Sequence, residues 1–108
     1  MSPRPGSFEQ ILLLALVRAG DETYGVPIRD NIEARTGRTV SPGAVYTALA
    51  RLERRGFVRS RLGEATPERG GKRKRYYRLT PSGAAAMRDC QQAIARMSRG
   101  LRPKLGTP

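Results

Sequence analysis

Apolar positions recur with helical spacing in four stretches of the chain and with a period of two in two more. Ile11, Leu12, Ala15, Leu16 and Ala19 share one side of a helix, and Ser7 followed by Gln10 has the spacing of a capping box. These signals predict a first helix over about 8–19, ended by Gly20. Ile28 and Ile32 lie four apart behind Pro27, which suits a first helical turn, and Gly37 offers a stop, so a second helix is expected over 26–36. Ser41 can cap, Pro42 suits the first helical position, and Val45, Leu49 and Leu52 form a narrow stripe before Gly56; this predicts a third helix over 42–55.

After Gly56 the period changes. Val58, Ser60 and Leu62 share one face of a strand while Arg59 and Arg61 take the other, and Tyr77 and Leu79 alternate with Tyr76 and Arg78 in the same way. Gly63 to Lys74, between these strands, contains Pro67, Gly70 and Gly71 and is too long for a tight turn. Thr80 and Pro81 repeat the cap-then-proline signal ahead of a fourth helix over 81–99.

The expected architecture is mainly α with a small two-stranded β wing, in the order of a winged helix-turn-helix, followed by a C-terminal dimerisation helix. Residues 7–80 would form the winged-helix DNA-binding domain and 81–101 the dimerisation helix, with flexible ends at 1–6 and 102–108. Leu, Ile, Val and Phe make up only 21 of 108 residues, near the level at which a strongly charged chain approaches disorder. Agreement of cap, period and breaker at every boundary argues instead for an ordered fold.

Charge sharpens this picture because it is unevenly placed. The chain has 21 Lys and Arg against 9 Asp and Glu, a net charge of +12, yet residues 1–50 are neutral and the remainder carries the whole excess. Such asymmetry creates a field that an extended polyanion can recognise. Counted at about 100° per residue from Val45, the side of helix 3 facing away from the core holds Gly43, Thr47, Ala50 and Arg54, flanked by Tyr46 and Arg51. Small residues allow close approach to a major groove, Thr47 can contact base edges, and Tyr46, Arg51 and Arg54 can hold phosphates. Ser41 and the helix 3 N-terminus add backbone N–H groups suited to a phosphate. Arg69, Lys72, Arg73, Lys74 and Arg75 place five cations around the Gly70–Gly71 pair, an affinity element on a DNA backbone or minor groove. The alternative use of the same charge is a basic RNA-binding or architectural protein that reads no sequence, for which only Tyr76 and Tyr77 offer aromatic platforms.

Met87, Cys90, Ile94, Met97 and Leu101 follow at spacings of three, four, three and four, a narrow seam of the coiled-coil type that predicts a homodimer through helix 4, with helix 1 as a second contributor. Cys90 reads there as a small hydrophobe. The absence of His and the single Cys exclude the usual general base, a metal site and a disulfide framework, so no catalytic residue, metal or cofactor is expected and the chain does not read as an enzyme. The apolar run Ile11–Val17 is too short to span a bilayer and lacks signal-peptide flanks, and a cytoplasmic protein is expected.

From Leu12 to Gly83 the sequence resembles the PadR family of bacterial transcriptional regulators, through LLALVRAGDETYGVPIRDNIE, SPGAVYTALARLERRGFV and KRYYRLTPSG. The resemblance implies a winged helix-turn-helix homodimer, usually a repressor, whose C-terminal helix makes the dimer; the two-fold symmetry of a dimer predicts a short inverted repeat in double-stranded DNA as its site. Carried over by position, Ser41, Gly43, Tyr46 and Thr47 resemble the recognition-helix entry, and Lys72, Arg73 and Lys74 the wing. The chain departs from many members in stopping soon after one C-terminal helix. A small-molecule effector is left open, and no polar cluster identifies one.

Overall fold

The computed structural model describes residues 5–65 and 73–101. Its elements run α1 (Ser7–Ala19), α2 (Gly25–Thr36), α3 (Pro42–Arg54), β1 (Val58–Leu62), β2 (Arg75–Leu79) and α4 (Pro81–Ser98), each within a residue of its expected bounds.

Caps explain most of these boundaries. The Ser41 hydroxyl accepts from the Ala44 N–H at 3.1 Å, and the Thr80 hydroxyl accepts from the Gly83 N–H at 3.0 Å, with a proline opening the helix in both cases. Gly37 ends α2 in the left-handed region at φ 72°, its N–H returning to the Glu33 carbonyl at 3.0 Å. The α1 cap differs from the expected Ser7–Gln10 pair. Gly6 is the cap, and its N–H donates to the Glu9 carboxylate at 2.9 Å, while the Gln10 amide donates to the Pro5 carbonyl at 2.9 Å. The carboxylate, anchored from behind by Arg55, returns to the chain one residue earlier than the glutamine amide would.

α1 lies at the centre of the fold, touching α2, α3, α4 and β2. Its Leu12, Leu13 and Leu16 meet Ile28 and Ile32 of α2, Val45, Leu49 and Leu52 of α3, and Val58, Tyr77 and Met87 in one core. Leu13 falls outside the expected stripe yet is fully buried, because a helix covered from several directions needs more than one apolar face. The strands pair antiparallel with Val58 opposite Leu79, Ser60 opposite Tyr77 and Leu62 opposite Arg75. Thr23 adds a third, one-residue rung, exchanging backbone hydrogen bonds with Tyr77 at 2.7 and 3.0 Å. This rung ties the turn before α2 to the wing.

Candidate nucleic-acid interface

Core packing of Val45, Ala48, Leu49 and Leu52 fixes the rotation of α3, and so leaves Gly43, Tyr46, Thr47, Ala50, Arg51 and Arg54 exposed beyond the Ser41 cap. A Cβ added at Gly43 would meet nothing within 4 Å, so the entry to α3 is open. Tyr46 has two roles. Its ring lies over the backbone of Gly25, where a Cβ would collide with the phenol, while the residue remains 46% exposed. Absence of a side chain at Gly25 thus lets Tyr46 lie flat between α3 and the start of α2.

The described wing cations, Arg73, Lys74 and Arg75, each have a partner within the chain. Arg73 donates through Nε to the Gly63 carbonyl at 2.7 Å, and Gly63 donates its N–H to the Lys74 carbonyl, which closes the wing base. The Lys74 ammonium sits 3.9 Å from the centroid of the Tyr24 ring, a cation–π contact. Arg75 donates to the Ser60 hydroxyl at 3.0 Å, and that hydroxyl donates to Glu53 of α3. A chain of polar contacts therefore runs from α3 to β2. Arg69 and Lys72 lie outside the described residues.

These elements converge. Tyr46 from α3, Tyr24 and Val26 from the start of α2, and Arg73, Lys74 and Arg75 from the wing border one recess of about 330 Å³. The outer side of α3 and the cationic wing base therefore share a side of the molecule.

Two expected contacts are modified. Arg51 leans toward Glu9, with Nη1 3.8 Å from Oε2, while staying half exposed; Arg55, not anticipated as important, makes the closer pair at 3.0 Å and lies 5.0 Å from the Phe57 ring centroid. The expected seam on α4 divides. Met87 and Cys90, expected to face a second copy, are buried within the chain itself, whereas Ile94 and Met97 are 57% and 78% exposed and Leu101 also reaches solvent. The reason is length: the domain covers only the first half of the helix.

Sequence reasoning missed the turn before α2. Arg61 clasps Glu22 through Nε and Nη2 at 2.6–3.0 Å and lies 4.9 Å from the Tyr76 ring centroid, and Tyr76 meets Tyr24 edge-on at 5.8 Å. The hydrogen-bonded Arg61 guanidinium holds the Glu22 carboxyl below its ordinary value, and burial pushes the Tyr77 phenol up. Two adjacent acidic residues in a turn, Asp21 and Glu22, carry no periodic signal that could have revealed this clasp. Among the described residues, no group of three His, Cys, Asp or Glu could hold a metal ion, and no helix is long and apolar enough to cross a membrane.

Comparison with known proteins agrees with this geometry. Residues 13–89 match the model of the transcriptional regulator PadR-like family. The chain is 33% identical over 81 residues to the transcriptional regulator Rv3488 of Mycobacterium tuberculosis, covering 75% of this chain and 71% of that protein. A solved transcriptional regulator from Clostridium thermocellum is 29% identical with a TM-score of 0.70, the alignment covering 84% of this chain and 85% of that one. A PadR family transcription regulator from Clostridium difficile shares the fold at a TM-score of 0.75 and 23% identity, over 94% of this chain and all of its own. The chain belongs to the PadR-like family, winged-helix DNA-binding regulators of transcription and not enzymes.

Proposed function

We propose that the protein is a homodimeric repressor that reads a short inverted repeat in duplex DNA, with α3 in the major groove and the wing on the adjacent backbone or minor groove. The observation that carries this reading is the shared recess, which brings Tyr46 of α3 and Arg73, Lys74 and Arg75 of the wing to one side. Thr47 and Gly43 face the bases; Tyr46, Arg54 and the wing cations hold phosphates, and Arg51 does so from its position beside Glu9. Ile94, Met97 and Leu101, with Leu14 and Val17 of α1, supply exposed apolar surface for the second copy. Two-fold symmetry would set the recognition helices about 34 Å apart, one DNA turn.

A single-strand or RNA reading requires open aromatic faces. Tyr77 is buried and Tyr76 is flanked by Arg61 and Tyr24, so neither offers a free stacking platform, and the exposed Tyr46 has one part of its ring set against the Gly25 backbone. Selection of bound sites from a random duplex library tests the proposal: it should return an inverted repeat. On that site Thr47→Ala should relax discrimination at one or two base pairs by about 1–3 kcal/mol each. Replacing Arg73 and Lys74 by Ala should weaken binding to all duplexes alike. A library that returns no preferred sequence at physiological salt refutes the sequence-specific reading.

A further inference from the structure

The outer face of the wing sheet carries charge that neither the core nor the recess uses. Residues 59, 61, 76 and 78 alternate with those turned toward α3, so their face looks the other way. Arg61 is committed to Glu22 and Tyr76. Arg59 and Arg78 differ: they stand directly opposite each other in the register, both are exposed, and neither side chain makes a hydrogen bond or close ion pair among the described residues, Arg78 acting on Glu22 only through its longer-range charge. Like charges placed directly across a sheet destabilise it, and neither side chain contributes to the core. Both line an open polar cleft of about 550 Å³ together with Ser60, Arg61, Asp21 and Glu22, in which three guanidinium groups outnumber two carboxylates.

We propose that Arg59 and Arg78 together seat a phosphodiester of the DNA flanking the bound half-site, so that the duplex is held on both sides of the wing. This rests on the duplex reading above. A planar guanidinium fork matches the oxygens of a phosphate, and an anion between the two arginines offsets their mutual repulsion. A duplex that receives α3 in one groove and the wing in the next must continue past the outer face of the wing. Inorganic phosphate shares this chemistry, and only the length of the DNA separates the two sources.

The experiment compares a library-selected site as a minimal duplex and as the same duplex extended by about ten base pairs, one helical turn, at each end. The wild-type chain should bind the extended duplex more tightly, and between about 50 and 200 mM salt this advantage should shrink about threefold for each phosphate contact. Arg59→Gln with Arg78→Gln should abolish the advantage, leave the affinity for the minimal duplex unchanged, and leave the melting temperature equal or higher. Retention of the length advantage and its salt dependence by the double variant would overturn the proposal. So would an equal loss on both duplexes, or competition by inorganic phosphate at constant ionic strength in the absence of any length effect. Failure of the wild-type chain to bind either duplex would instead overturn the duplex reading itself.

Discussion

Gly83 sits where the N-terminal turn of α4 meets the backbone of Phe57. A Cβ there would fall onto the Phe57 carbonyl oxygen and within 2.8 Å of Leu79. Gly83→Ala should therefore cost about 1–3 kcal/mol, the range for overpacking a well-filled site. Gly43→Ala, which meets open space, provides the control; a urea melt with equal losses at the two sites would refute the close approach. Nothing in the run Thr80–Pro81–Ser82–Gly83 announces this requirement, because the atom that forbids a side chain comes from another element. The cap at Thr80 was legible for the opposite reason, since hydroxyl and N–H lie three residues apart. Glu22 offers a second test at this scale. Its folded value lies below the unfolded one, so the stabilisation from Arg61 is complete above the ordinary glutamate value and is lost as pH falls through the lowered one. An NMR titration of the Glu22 carboxyl should show a depressed midpoint that returns to normal in Arg61→Gln; an unchanged midpoint in that variant would remove Arg61 as the cause.

At the scale of elements, all six were legible because each carries a period together with a start or stop signal. The Thr23 rung was not, since a single residue has no period, yet it places the aromatic turn against the wing. The α4 stripe shows a different limit. A repeat of three and four identifies an apolar side without saying which molecule covers it, and here Met87 and Cys90 are covered within the chain while Ile94 and Met97 are not. In the proposed dimer the contact therefore falls to the distal half of the helix. Ile94→Glu should yield monomers by sedimentation velocity with an unchanged thermal melt at low concentration. Cys90→Asp should instead lower the melting temperature, because it places an unpaired carboxylate in the core. Dimers persisting in Ile94→Glu would exclude this surface as the interface.

Across the whole molecule, charge and shape divide the work. The neutral first half supplies most of the core, and the basic second half supplies the field that draws a polyanion to one side. The sequence carried the amount of charge and its segment, while the three-dimensional arrangement supplied its anchoring: Lys74 against Tyr24, Arg75 through Ser60 to Glu53, and Arg73 on the Gly63 carbonyl. Those partners lie ten or more residues away along the chain or in other elements, beyond any local pattern. What they achieve together is a fixed spacing between α3 and the wing base. A hydroxyl-radical footprint on one selected site measures whether that spacing is used. The wild-type chain should protect two neighbouring backbone tracts per half-site, one beside the groove filled by α3 and one across the adjacent minor groove, and Arg73→Ala with Lys74→Ala should erase only the second. A single tract in the wild-type chain, or loss of both tracts together in a variant that folds and still binds, would contradict joint contact by the helix and the wing.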